Sequence, residues 1–442
     1  MIGAPKTANT SVAERLIATI RYHFSSLVSL ALRGIGVLAG FVVTFLIGRW
    51  YGPQANGQYA IVTQTAMFLS VVAVGGLDLA ATREFSKSVV LGVRLARSAL
   101  LRVAGQAMGV ALAIMVALMF GGEKLLRLLG RDTVPAGALG VLCLILAARA
   151  FTRLTAAVLR SQKDYALGQA VEVVFIPVFT MAIFCVIRIR SVSDILWATA
   201  MAGLLTALIG VAAAMRHTSN APDSLRLSGR TIYATALPLW GVTIAANLAD
   251  WYGLATVSAI GGAREAGLFR VAVQFASAVS IITIGLFGAF SAQISAAVHA
   301  EDRQQVARLA RSATRLSIML ILPCALLGFV FAPRLLGLIG PEFLEGTSLL
   351  RVLLLGHAVF AVLSIAGLVL ALAGGSKINF AISVANAAVM LLGAPIVAAM
   401  GGTFGVAAFV SATMVATNLA NVIAVRRIVR IDTISGSILP DR

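Results

Sequence analysis

The chain carries little charge. Only 12% of its 442 residues are Asp, Glu, Lys or Arg, about half the share of a soluble domain. It also lacks any polar stretch long enough to house a water-facing domain: 60% of the residues are hydrophobic and the mean hydropathy is +0.96. Cysteine is scarce, and Cys143, Cys185 and Cys324 each fall inside an apolar run. An odd set of thiols at that depth excludes a disulfide framework. The four histidines form no HExxH or other metal-ligand spacing, and no GxxxxGK[ST] phosphate loop is present. No metal, no cofactor and no nucleotide chemistry is therefore expected, and the chain does not read as an enzyme.

Acids are scarcer than bases: 17 Asp+Glu stand against 35 Lys+Arg, giving a net charge of +18. Such an excess can signal nucleic-acid binding. Here the basic residues lie between apolar runs, so the excess reads as loops on one side of a membrane. A spanning helix needs about 20 apolar residues. The first such run begins near Ser26 and is long enough to cross, unlike a cleaved signal peptide.

Twelve spans are expected near 26–48, 58–80, 100–120, 135–158, 167–187, 194–215, 232–258, 267–293, 312–332, 347–373, 379–399 and 402–424. The weakest break is Met400-Gly401-Gly402. Alternate sides then differ in Lys and Arg. One side holds about 20, among them Arg83, Lys87, Arg94, Arg97, Arg160, Arg216, Arg303 and Arg426; the other holds about 8, including Arg49, Arg127 and Arg264. The richer side is expected in the cytoplasm with both termini.

A repeat divides the chain. Gly52-Pro-Gln-Ala-Asn-Gly57-Gln-Tyr59 is echoed by Gly262-Ala-Arg-Glu-Ala-Gly267-Leu-Phe269, displaced by 210 residues. The pattern Gly-x4-Gly-x-aromatic suits a tight turn followed by an interfacial aromatic. Each copy opens the second span of a six-span half, and each half follows that span with a basic loop. The expected organisation is a segment 1–25, a first lobe 26–215, a polar linker 216–231, a second lobe 232–424 and a tail 425–442. Six spans per half gives lobes of the same orientation, related by an axis along the membrane normal. Pro177, Pro238, Pro323 and Pro395 interrupt spans, as hinges or as static bends.

Seven arginines and three acids fall inside spans: Arg33, Arg102, Arg149, Arg153, Arg270, Arg315, Arg351, Asp78, Glu172 and Asp250. A mid-helix arginine facing lipid costs roughly 2.5–3.5 kcal/mol, so most must snorkel, pair or face water. Arg102 and Arg315 lie near span ends and can snorkel; Asp78 is placed at the end of the second span. Arg149, Arg153 and Arg160 form a stripe down one helix face. The stripe, with Arg33, Arg270 and Arg351, is the candidate anion site. For Arg149 and Arg153 the alternative is structural pairing with Glu172 or Asp250, and for Arg33, Arg270 and Arg351 it is snorkelling; Asp250 is equally a candidate coupling site for H+ or Na+.

Arg33-Gly-Ile-Gly36, Arg49-Trp-Tyr-Gly-Pro53, Gly57-Gln-Tyr59 and Gly75-Gly76-Leu77 through Arg83 resemble the start of bacterial polysaccharide-biosynthesis flippases, within the multidrug/oligosaccharidyl-lipid/polysaccharide exporter superfamily. Ala236-Leu237-Pro238, Asp250, Gly262 and Gly267 resemble that family's second half. The resemblance implies an all-α, MATE-like fold of twelve helices in two lobes around a V-shaped cavity. It implies flipping of undecaprenyl-pyrophosphate-linked oligosaccharides in the inner membrane, for O-antigen or exopolysaccharide synthesis, beside polymerase and glycosyltransferase machinery. Cation-coupled drug antiport is the other activity the superfamily implies. A membrane polymerase or ligase fits less well, because the longest loop on the low-charge side, Gly121–Val134, is short.

Overall fold

Apolar helices satisfy every backbone donor internally, which makes them the natural form for so hydrophobic a chain. The computed structural model describes residues 12–130, 135, 137–187, 190–221, 224–225 and 229–438. Residues 1–11, Arg131, Arg188, Arg226 and Arg442, which entered the sequence reading, lie outside them. The first half comprises α1 (Val12–Val74), α2 (Leu77–Val90), α3 (Arg97–Gly130), α4 (Ala138–Ser161), α5 (Tyr165–Gln169), a π-helical turn Ala170–Val174, α6 (Phe175–Val186) and α7 (Val192–Arg216). The second comprises α8 (Gly229–Ala278), α9 (Ser280–His299), α10 (Arg303–Val330), α11 (Ala332–Gly337), a 3-10 turn Pro341–Gly346, α12 (Thr347–Leu363), α13 (Ile365–Leu372) and α14 (Ser376–Ile428).

Among the described residues, nine helical runs are long and apolar enough to cross a membrane. Three of them fold back at a glycine. Gly52 (φ 78°, ψ −178°) reverses α1 and Gly262 (φ 78°, ψ −175°) reverses α8 in the same conformation; Gly402 reverses α14. Twelve residues of continuous helix would span about 18 Å, yet Asn56 Nδ2 donates to the Thr44 carbonyl at 3.2 Å across Gly52. Across Gly402, Thr413 Oγ1 lies 3.4 Å from Met390 Sδ. Twelve crossing segments result, in two six-helix lobes, and the chain is a multi-pass membrane protein.

Two boundaries differ from the sequence reading. The second crossing does not stop near residue 80. The left-handed Gly75 and Gly76 (φ 62° and 72°) only bend it, and it continues as α2 to Val90. Asp78 therefore sits inside a bundle. Most of the expected loop Gly121–Val134 is helical, as α3 runs to Gly130.

Both lobes are strapped at the basic face. The peptide leaving α7 forms a short parallel pair with the segment before α3, β1 (Leu95–Ala96) against β2 (Thr218–Ser219). The peptide leaving α14 lies over α10, where Thr314 Oγ1 donates to Thr433 O at 3.1 Å and Ile431 is fully buried.

Candidate functional site

The lobes meet along α1, α2 and α8. At the glycine-turn face the contact is backbone on backbone. A Cβ on Gly57 would fall 1.7 Å from the Ala263 carbonyl oxygen, and one on Gly267 would fall 1.9 Å from that of Pro53. The two copies of the repeat thus pack on each other. Phe343 of the 3-10 turn is buried against Gly48, and the Ser258 hydroxyl donates to the Leu129 carbonyl. This face is sealed. Phe269, expected in an interfacial belt, instead belongs to the core at 3% exposure.

From the seal toward the basic face, side chains hold α1 and α2 to α8 around one further close backbone approach, where a Cβ on Gly76 would fall 2.4 Å from the Ala236 carbonyl oxygen. Trp251 Nε1 donates to Thr65 Oγ1 at 3.1 Å while its ring stacks on Phe68 at 4.9 Å. Trp240 Nε1 donates to the Val71 carbonyl at 3.3 Å, and Thr235 Oγ1 donates to Glu84 Oε1 at 3.1 Å. On the opposite seam, Phe41 of α1 meets Phe275 of α8 edge-on at 4.7 Å. Below it α1 exposes Arg33, Ile35 and Leu38.

Polar side chains gather just inside the seal. Tyr59 lies two turns from Gly52, and its hydroxyl accepts from Thr199 Oγ1 at 3.4 Å. Arg149 of α4 and Arg270 of α8, one from each lobe, both lie within electrostatic range of that phenol. Among the described residues neither arginine has a carboxylate at ion-pair distance. Asp250 lies within electrostatic range of Arg270 and is solvent-exposed. Arg149 and Arg270 are both half-buried.

The remaining arginines of the stripe are engaged. Arg153 Nη2 lies 3.1 Å from Asp78 Oδ2. Arg160 pairs with Glu172. Glu172 stands in the π-helical turn, which has a local cause: Pro177 cannot donate to the carbonyl four residues back, and the ladder widens so that Phe175 N donates to Ala170 O. Arg351 is engaged elsewhere. Its Nε donates to the Phe329 carbonyl at 3.2 Å and its guanidinium covers the Phe329 ring at 5.2 Å. Arg33 stays exposed on the basic half of α1 and does not join Arg149.

Tyr59 and Asp78 were missed as site residues. Tyr59 was visible in the repeat but was assigned to an interface. Asp78 was placed at a helix end, because two adjacent glycines read as a terminus.

No protein-family model and no curated protein sequence matches the chain. Solved structures do. An inward-facing MATE-family multidrug resistance transporter of the MOP superfamily is similar with a TM-score of 0.75 at 14% identity, over 91% of this chain and 97% of that one. The lipid II flippase MurJ, in an inward closed conformation, has a TM-score of 0.65 at 14% identity, over 93% of this chain and 87% of that one. The MATE multidrug transporter DinF-BH, solved as a ligand complex, has a TM-score of 0.64 at 16% identity, over 98% of this chain and all of that one. The chain therefore has the fold of the MOP-superfamily transporters.

Proposed function

We propose that the chain flips a lipid-linked oligosaccharide carried on pyrophosphate across the bacterial inner membrane, by alternating access of its two lobes. The supporting observation is the pair Arg149 and Arg270. Arginines from opposite lobes, with no carboxylate at ion-pair distance among the described residues, both lie within electrostatic range of Tyr59, and the space they border is taken as one chamber. An anionic phosphate held between them is the group that would bridge the lobes, and the guanidinium fork matches its geometry. A dry lumen would not serve, because each sugar hydroxyl costs several kcal/mol to bury unpaired; the exposure of Asp250 and the half-exposure of both arginines supply a wet one.

The basic face is assigned to the cytoplasm by its excess of Lys and Arg. With the glycine-turn face sealed, the chamber is then closed to the periplasm. The exposed stretch of α1 from Arg33 to Leu38 is the lateral opening through which the polyprenyl tail stays in the bilayer. Outward movement of negative charge is favoured by about 2.3 kcal/mol per charge per 100 mV, so no nucleotide site is required. Upstream glycosyltransferases would supply the cargo and a polymerase would consume it. Nucleic acid has no role.

One observation favours a second reading, cation-coupled drug antiport: Asp250 is a carboxylate in the chamber, able to exchange a proton or sodium ion. The two readings separate in cells. Arg149→Gln and Arg270→Gln are each expected to lower surface polysaccharide more than tenfold while protein abundance in the membrane stays normal. Unchanged glycan with altered drug sensitivity, most of all in Asp250→Asn, would replace the flippase reading by the antiporter.

A further inference from the structure

A second basic cavity lies outside the chamber. It occupies about 590 Å³ at the basic-face end of the seam between α2 and α8, and it is lined by Arg83, Arg230, Thr231, Ala234, Thr235 and Leu239. Its arginines come from different lobes. Arg83 stands midway along α2, and Arg230 stands in the first turn of α8. Both belong to the Lys- and Arg-rich side of the crossings.

The charge there is not neutralised. Glu84 is the carboxylate of this corner, and it is already committed. It is 3% exposed, paired with Lys87, and accepts the hydroxyl of Thr235 at 3.1 Å. Arg83 approaches it only to 3.9 Å with a side chain 74% exposed. Arg230 has no carboxylate at ion-pair distance among the described residues. Two guanidinium groups and the hydroxyl of Thr231 thus share one cavity whose protein lining carries no acid.

The surroundings select the kind of anion. Tyr233 and Leu237, on the same helix, are exposed at 47% and 65%. They continue from the cavity toward the membrane interior at helical spacing, and Ala234 and Leu239 form the apolar floor. A ligand matched to this surface has a charged head at the arginines and a hydrocarbon chain beneath. We infer that the cavity binds the phosphate-bearing headgroup of a lipid in the leaflet at the basic face. Basic recesses between crossing helices suit such headgroups, and arginine suits phosphate oxygens two at a time. Because Arg83 and Arg230 belong to different lobes, a phosphate between them favours the arrangement in which α2 and α8 are joined. The site does not depend on what the chamber carries.

Native mass spectrometry of the purified full chain tests it, with phosphatidylglycerol, a polyprenyl pyrophosphate and zwitterionic phosphatidylcholine as probes. At least one of the two anionic lipids is expected to bind the R83Q/R230Q protein tenfold or more weakly than wild type. R83K/R230K should recover part of the loss, and R315Q, an exposed arginine on α10, should bind as wild type. Loss of phosphatidylglycerol binding assigns the site to bulk anionic lipid; loss confined to polyprenyl pyrophosphate assigns it to a lipid of the cargo class. If the double variant fails to fold, R230Q alone carries the same readout. Unchanged binding of both anionic lipids, or binding of phosphatidylcholine equal to theirs, overturns the inference.

Discussion

The two ends of the lobe interface are built differently. At the glycine-turn face, Gly57 and Gly267 bring backbone against backbone with no room for a single Cβ. Toward the basic face, one close backbone approach recurs, Gly76 against the Ala236 carbonyl, but side chains carry the rest of the contact: the Trp240 indole, the Thr235 hydroxyl and the Glu84 carboxylate. Close-packed backbone has no intermediate arrangement, because a slight separation loses the dispersion contacts outright. Side chains can rotate and exchange partners for water. The difference predicts a seal that is either made or broken, and a seam that loosens by degrees beyond its one close approach at Gly76.

The largest test of this contrast is Gly57→Val. Its Cβ would overlap the Ala263 carbonyl, and overpacking of this kind is expected to cost about 3 kcal/mol. Thermal unfolding of the purified protein measures it, and a wild-type melting curve would show that the seal tolerates a gap. A smaller effect is expected at the other end. Thr235→Val removes one hydrogen bond to a buried carboxylate, worth about 2 kcal/mol. Hydrogen exchange should rise in α2 and the first turns of α8, with the glycine-turn face unchanged. Equal protection at both ends in that variant would mean that the two are one cooperative unit.

The smallest effect concerns the loop that backs the seal. Arg264 Nη2 lies 2.9 Å from Glu345 Oε1, and that hydrogen bond holds the Glu345 carboxyl below its usual range. A carboxyl depressed in the folded state contributes stability above its unfolded pKa and loses it as pH falls through the folded one. Hydrogen exchange in 341–346 is therefore expected to be steady near neutrality and to quicken only below the ordinary carboxylate range. Quickening already near neutrality would remove Arg264 and Glu345 from the loop's support.

Much of the fold was readable in the residues. Long apolar runs gave the crossings, and the motif at Gly52 and Gly262 marked two of the reversals, because positive φ is a local demand that glycine answers. Gly402 was the faint one, and the chain does turn there. Less readable was everything that joins distant segments. The second glycine of each motif, Gly57 and Gly267, looked like part of a turn and proved to be the point where the lobes cross. The residues Arg149, Arg153 and Arg160 all stand on α4, but the partners of two of them, Asp78 and Glu172, lie on other elements. Only Arg149 is left without one among the described residues, and helical periodicity carries no information on that choice. Arg351 shows the same limit. Its depth matched that of Arg270, and its bond to Phe329 could not be inferred from depth.

The crossing of the two motifs has a consequence for how the chain can change. Each copy rests on its own counterpart, as matching patches do across the two-fold axis of a symmetric dimer. Bulk added to either copy intrudes on the other, so no compensating change within the same half can relieve it. Two short stretches 210 residues apart are thereby tied into a single unit of variation, and halves that differ freely elsewhere must still keep these two in step.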